Sequence, residues 1–454
     1  MSWHTGTNDS DRGSATEPNV RQEVTYNSSL ENAMQRLLVL GGGTAGTMVV
    51  SKLRRKLDPA DWQITIIDQD DKHLYQPGFL FIPFGVYEPA DVVRSRHTFI
   101  PDRVELVLGE IDRVDADASQ VHLADGRQLG YDYLVIATGT TPRPDQTPGM
   151  LGPQWRTSIF DFYSLDGATA LAGALAKFDG GRVVVHVTDM PIKCPVAPLE
   201  FTFLAEAYFR RRGMRDRVEL TYATPLPGAF TKPIASRQLG AMLDERKIAV
   251  ESDFMVERID ADKKALISYD EREIPFDLLV TVPLNMGAEF IARSGLGDEF
   301  NYVPADKHTL LSKAHDNIFA VGDASDIPTS KAGSVAHFGV DVFIGNFCQH
   351  VAGQPMTGKF DGHANCFIES GDGKGLLIDF NYDTEPLTGS YPVPVLGPFG
   401  LLKENTRNHW GKLAFRWMYW HMLLPGWPMP LPAHMSMAGK HQPEQAGAAA
   451  TRGQ

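Results

Sequence analysis

Cysteine is scarce in this chain. Only Cys194, Cys348 and Cys366 occur in 454 residues, which excludes a disulfide-stapled scaffold. No CxxC or CxxxxC pair is present, which excludes a vicinal dithiol site. No apolar run reaches about 18 residues, so no transmembrane helix is expected. The first 35 residues are polar and lack the apolar core of a signal peptide. Residues 1–35 and 433–454 therefore read as a disordered leader and tail. Positive charge is also short: 43 Lys and Arg against 56 Asp and Glu give a net charge of −13, which argues against nucleic acid as a partner. No metal site is predicted. With 43% hydrophobic and 22% charged residues the chain reads as globular, and it is long enough for two or three domains.

The clearest motif is Leu37 to Gly46, LLVLGGGTAG. An apolar strand runs into Gly41, Gly43 and Gly46. A helical segment then leads to a second apolar run, Ile64–Ile67, which ends at Asp68. Glycines at this spacing let the backbone turn and approach a pyrophosphate, and the helix N-terminus offers N–H groups and positive dipole. An acid about 20 residues on can take ribose hydroxyls. This first unit, residues 36–145, closes on a strand ending in Ala137-Thr138-Gly139, where small side chains allow close approach of a cofactor.

A Pro-rich link leads to a second α/β unit, residues 146–284. Its first strand is expected at Arg182–Val187 and its helix over about 196–212, with further strand-like runs at 218–222, 266–268 and 278–282. The chain then returns to the first unit over 285–351. A strand there ends in Gly322-Asp323, and a helix follows from Gly333 to about Val351. The runs Cys366–Ile368 and Leu376–Phe380 predict a hairpin turning at Gly371-Asp372-Gly373.

The second unit lacks the glycines that a nicotinamide dinucleotide would need. None occurs from Arg182 to Arg212, and Pro191, Pro195 and Pro198 remove amide donors. Cys194 stands where that loop enters the helix. The helix dipole and Lys193 are expected to lower its pKa and make it nucleophilic. Cys348, within a helical pattern, reads as a packed thiol.

This order of elements resembles the two-dinucleotide-domain flavoproteins of the glutathione-reductase superfamily, and the two cysteine loops resemble the sulfide:quinone oxidoreductases. The resemblance implies an α/β fold of two Rossmann-like dinucleotide-binding domains, the FAD-binding one discontinuous, plus a C-terminal amphipathic membrane-binding region over 352–432. It implies FAD held by Gly41, Gly43, Gly46, Asp68, Ala137, Thr138, Gly139, Gly322, Asp323 and Lys331. It pairs Cys194 with Cys366, makes Glu200 a proton handler near both, and puts His73 near the flavin. Sulfide would attack the oxidised cysteine pair, and the electrons would pass through FAD to a quinone. A further family cysteine would fall near Ser158-Ile159-Phe160. Phe160 stands there, so the FAD is expected to be non-covalent. A family histidine is replaced near Ala229.

The segment 408–428 holds Trp410, Trp417, Trp420 and Trp427 among four basic residues and one acidic one between Gly400 and Trp427. It suits an interfacial helix and offers a hydrophobic quinone a route to the flavin. The expected setting is a peripheral, monotopic protein on the cytoplasmic face of the inner or cytoplasmic membrane. Sulfide, quinone and the membrane surface are the expected partners, and assembly into a homo-oligomer is left open. Two other readings stand beside this one: a type II NADH:quinone dehydrogenase, which would need the absent glycine loop, and a non-catalytic FAD-binding redox sensor, which would not need the two cysteines together.

Overall fold

A computed structural model describes residues 34–393, 397–429 and 431–441. The leader up to residue 33 and the tail from 442 lie outside the described residues.

The apolar runs form two parallel sheets. The first has the order Ile318–Ala320, Tyr133–Ile136, Gln35–Leu40, Trp62–Asp68, Val104–Leu108. Its central strands are buried on both faces; Val39, Leu40, Ile66 and Val135 have no exposure, which is why they read as unbroken apolar runs. Leu37 pairs with Ile64 on one side and Tyr133 on the other. The strand order reverses about Gln35–Leu40, so a crevice opens at its carboxyl end, beside Gly41.

The second sheet has the order Ile159–Phe160, Leu278–Val282, Gly181–Val187, Val218–Ala223, Ala249–Glu251, also parallel. Residues 266–268 do not extend it. They belong to Ala265–Ser268, the middle of a separate antiparallel sheet between Val256–Asp260 and Glu273–Pro275. Alternation alone cannot tell a third parallel strand from a short meander. The two units are joined by an antiparallel ladder of Thr141–Arg143 with Leu284–Met286.

The hairpin forms from Ala364–Gly371 and Lys374–Phe380, with Cys366 opposite Ile378. Its turn is left-handed throughout: Gly371, Asp372 and Gly373 have φ of 84°, 52° and 69°. The C-terminal helix is Thr406–Met418, and a π turn carries it on over Tyr419–Leu423. The tail is partly folded, against expectation. Lys440–His441 adds a strand to the hairpin sheet, and the buried Lys440 ammonium pairs with buried Asp379. A polar composition hid that one buried ion pair.

Candidate active site

The fingerprint loop has the shape of a dinucleotide cradle. Gly41 has φ +94°, and a Cβ there would lie 2.6 Å from the Ala137 carbonyl oxygen. A Cβ on Gly46 would lie 1.8 Å from the Gly41 carbonyl oxygen, so helix and strand meet only through glycine. The helix Thr44–Leu53 begins with no side-chain cap, and nothing lies within 4 Å of a Cβ built on Gly43. Its N-terminal amides are free for an anion. Thr138 Oγ1 is buried without a partner, while Gly139 faces open space. An orphaned hydroxyl beside an open, uncapped helix end fits a dinucleotide such as FAD.

Asp68 lies at the expected strand end. Its carboxylate accepts from the Gly42 and Gln69 amides, both at 2.7 Å, and forms an ion pair with Arg96 Nη1 at 3.1 Å. Arg96, itself buried, also donates to the Gly42 carbonyl and ties the loop down. It lies 28 residues beyond Asp68 with no motif around it, so sequence reading missed it. Burial pushes the Asp68 carboxyl up against the pull of Arg96.

Asp323 follows Gly322, which has φ +65°. Lys331 is buried, which excludes a surface lysine: its ammonium donates to the Asp323 and Ser325 carbonyls at 2.9 Å and sits 3.5 Å from the Tyr302 ring centre. Burial pulls the pKa of Lys331 and that of Lys193 down to about 8, with Asp323 acting against it in both cases.

The Cys194 loop reaches this cradle by a backbone bridge. Lys193 pairs with Lys331, and the Cys194 amide donates to the Lys331 carbonyl at 2.6 Å. Cys194 itself is left-handed, with φ +50°, a conformation that costs a non-glycine residue of order 1 kcal/mol or more and persists where surroundings enforce it. Three bonds do so: the Lys331 contact, a bond from the Ala197 amide to the Cys194 carbonyl at 2.9 Å, and one from the Tyr163 hydroxyl to the same carbonyl at 3.2 Å.

Cys366 comes from the hairpin, 172 positions away in sequence. Its neighbour Asn365 donates its amide to Ser334 on the helix Gly333–Val351 at 3.2 Å, and the Cys194 charge acts with burial to raise the Cys366 pKa. The expectation of an acidic Cys194 is overturned. Burial, then the Glu200 charge, push it up to about 12, while Lys412 only partly opposes them. Burial raises Cys366 as well. Lys193, expected to help, is itself desolvated and has no place among the dominant influences on Cys194.

Glu200 is not a solvated helix-face residue. It is fully buried on the helix Ala197–Arg211. One carboxylate oxygen accepts from the Lys412 ammonium and from the Glu369 amide, at 2.7 Å from the latter; the other has no partner. Lys412 also donates to the Phe367 carbonyl at 3.1 Å. Glu369, buried, pairs with His409 at 2.9 Å. Sequence reading missed Lys412, Glu369 and His409. The one available signal was the helical i, i+3 spacing of His409 and Lys412 beside a hairpin strand.

The aromatic segment divides. Trp410, Ala414, Trp417 and His421 form an exposed stripe at helical spacing. Tyr419, Trp420, Leu423 and Leu424 are buried. The Tyr419 hydroxyl bonds Thr44 of the fingerprint helix and His73 Nε2, each at 2.8 Å. Trp420 stacks on Phe99 at 5.1 Å. A single interfacial helix is therefore corrected to a helix with one outward stripe and a core-bound end. His73 is a buried neutral group, its pKa pulled down to about 3 by burial and Arg96. Phe160 is buried in its short strand, Ala229 is buried in the second unit, and Cys348 is half-buried with its thiol pushed up by burial.

The pyridine nucleotide-disulphide oxidoreductase family matches residues 35–186. The mitochondrial sulfide:quinone oxidoreductase of Mus musculus is 26% identical over 398 residues, covering 86% of each chain. That of Schizosaccharomyces pombe is 28% identical over 393 residues, covering 80% of this chain and 84% of its own. The chain is homologous to the sulfide:quinone oxidoreductases. The crystal structure of the Aquifex aeolicus sulfide:quinone oxidoreductase shares the fold, with a TM-score of 0.73 at 21% identity over 87% of this chain and 92% of that one. The likeness covers the α/β, Rossmann-like flavoprotein architecture. Among the described residues no helix is long and apolar enough to cross a membrane.

Proposed function

We propose that this chain is an FAD-dependent sulfide:quinone oxidoreductase. One observation carries the reading: the Cys194 loop, which lacks the glycines of a nicotinamide site, is bridged by its backbone to Lys331 next to the fingerprint unit, and Cys366 on the distant hairpin is buried within reach of the Cys194 charge. A non-catalytic sensor has no need of that convergence, and a type II NADH dehydrogenase needs the missing loop.

In this reading residues 36–145 and 285–351 hold non-covalent FAD, residues 146–284 present Cys194, and residues 352–432 carry Cys366 and the acceptor side. The fingerprint amides would hold the pyrophosphate, Asp68 the ribose, and the Gly322-Asp323 turn with Lys331 the far end. When bound, FAD supplies a two-electron acceptor between thiols and quinone.

In the oxidised state Cys194 and Cys366 share an S–S bond. Hydrosulfide attacks one sulfur; that bond breaks as a new S–S bond forms. One cysteine becomes a persulfide and the other leaves as thiolate, so each thiol has its own task. The thiolate is the group that would face a bound flavin, and its electron pair is what such a two-electron acceptor would draw on. Glu200 has one free oxygen to take or return the proton, and Lys412 holds it in place.

The exposed stripe of Trp410 and Trp417 supports docking as a peripheral protein on a membrane surface, with the quinone entering on that side; the cytoplasmic face is part of the proposal. The deciding experiment is anaerobic addition of sulfide, then of NADH, to the protein with bound flavin. Sulfide is expected to bleach it and NADH is not. The reverse result transfers the chain to the NADH dehydrogenases, and no bleaching by either leaves it a sensor.

A further inference from the structure

Acid is missing from one long stretch of this chain. From Asn405 to His441, 37 residues, there is no Asp or Glu. At the chain's average of 56 in 454 residues, four or five would be expected there. Three of the four basic residues in the stretch are held by carboxylates from other elements: Lys412 by Glu200, Arg416 by Asp91 at 3.3 Å and Lys440 by Asp379. Arg407 is the fourth. It is exposed and, among the described residues, has no ion-pair partner. On the helix it stands three residues before Trp410 and seven before Ala414, so it borders the exposed stripe. Lys403, on the turn that leads into the helix, is likewise exposed and without an ion-pair partner among the described residues. Glu404 beside it is tied to Arg246 at 2.7 Å.

The far end of the segment has the same character. Trp427 is exposed, and the Arg55 guanidinium lies 4.5 Å from its ring centre. Arg55 also donates to the Pro425 and Gly426 carbonyls, both at 2.6 Å, which ties the Trp427 turn to the fingerprint unit. Lys56, next in sequence, is exposed as well. Exposed tryptophans thus have exposed cations at both ends of their segment, on a chain whose net charge is −13.

Aromatic rings alone suit any lipid interface. The charge pattern adds a choice. The chain as a whole is acidic and would be repelled by an anionic bilayer. At physiological ionic strength, however, the Debye length is about 8 Å, so a bilayer responds to the charges nearest to it. Presented by the C-terminal segment, the protein offers cations to the headgroups and no acid for them to repel. We propose that this segment docks on anionic lipid headgroups, with Lys403 and Arg407 at one end and Arg55 and Lys56 at the other.

The proposal rests on the membrane-docking reading, and vesicle flotation separates the two. The full-length holoprotein is floated with phosphatidylcholine vesicles, with and without phosphatidylglycerol, at low and high salt. Binding at low salt is expected to be at least about tenfold tighter with phosphatidylglycerol, since each basic residue at an anionic surface is worth about fivefold. High salt should remove that preference and leave the aromatic binding to phosphatidylcholine. Lys403→Gln with Arg407→Gln should lose at least about tenfold on anionic vesicles and nothing on phosphatidylcholine. Arg258→Gln with Lys263→Gln removes the same charge from exposed sites of the second unit and should change neither. Flotation with neither vesicle removes the membrane reading itself. Equal binding to both lipids, a preference that survives high salt, no loss in Lys403→Gln with Arg407→Gln, or an equal loss in the second-unit variant overturns the lipid choice. So does a dimer in solution that Trp410→Ser with Trp417→Ser dissociates, since a second copy would then cover this face.

Discussion

Replacing Lys412 by methionine tests the Glu200–Lys412 pair most directly. The change keeps an unbranched apolar stem and removes the charge, which lies 5.8 Å from the Phe81 ring centre. Glu200 is fully buried and Lys412 has 12% side-chain exposure, so neither charge has much water. At contact, near 3 Å, their attraction at an effective dielectric of about 20 is roughly 5 kcal/mol. Removing one partner of such a pair typically costs about 3–5 kcal/mol, because the other charge stays buried. The loss is expected to depend on pH with a definite sign. Burial already raises the Glu200 carboxyl, and losing Lys412 raises it further. A raised folded-state pKa gives stability that is full below the unfolded value and is lost as pH rises through the folded one. The variant should therefore lie nearest to wild type at about pH 5 and fall away towards pH 8, by at most about 1.4 kcal/mol per pH unit. Thermal melts of wild type, Lys412→Met, Glu200→Gln and the double variant across that range give the assay. The double variant should recover most of the loss. A deficit that ignores pH, or a double variant as weak as Lys412→Met, refutes a charge-based account.

Cys194→Ser and Cys366→Ser are each expected to abolish sulfide-dependent quinone reduction with FAD retained, and the double variant to be no worse, since a split persulfide and thiolate site fails with either loss; Cys348→Ser should change little. Gly46→Ala should yield flavin-free protein, because its Cβ would fall 1.8 Å from the Gly41 carbonyl oxygen; absorbance of the purified variant checks this. Acid or heat should release all flavin, and colour retained in the pellet would point to a covalent link despite Phe160. Trp410→Ser with Trp417→Ser should abolish flotation with vesicles while leaving sulfide bleaching intact, since the two side chains are 63% and 60% exposed.

Much of the scaffold was legible because it is periodic and local. The strand at Gln35–Leu40 reads as one from its apolar run, and the helix at Gly333–Val351 has the bounds its sequence suggests. Gly371-Asp372-Gly373 announces its own turn. What escaped reading is non-local. Arg96 acts 28 residues beyond Asp68, Glu369 faces a helix that starts at Thr406, and Lys440 buries its charge on Asp379. Each is one polar residue whose partner lies on another element, and no window along the chain contains both.

The error over Cys194 teaches the same physics from the other side. A helix dipole is worth about 0.3–1 kcal/mol at an exposed site, and an adjacent lysine helps only when its charge is hydrated or aimed at the sulfur. Both effects were inferred from neighbours in sequence. Burial acts on the thiolate from every direction, and Glu200 adds a like charge from the following turn; together they outweigh the dipole. Burial and the Glu200 charge therefore both favour the protonated thiol, and positive charge or a proton acceptor brought in by a reaction would act against them. That makes Glu200 and the groups behind it, rather than an intrinsically acidic cysteine, the natural place for this chain to control when the sulfur becomes a nucleophile.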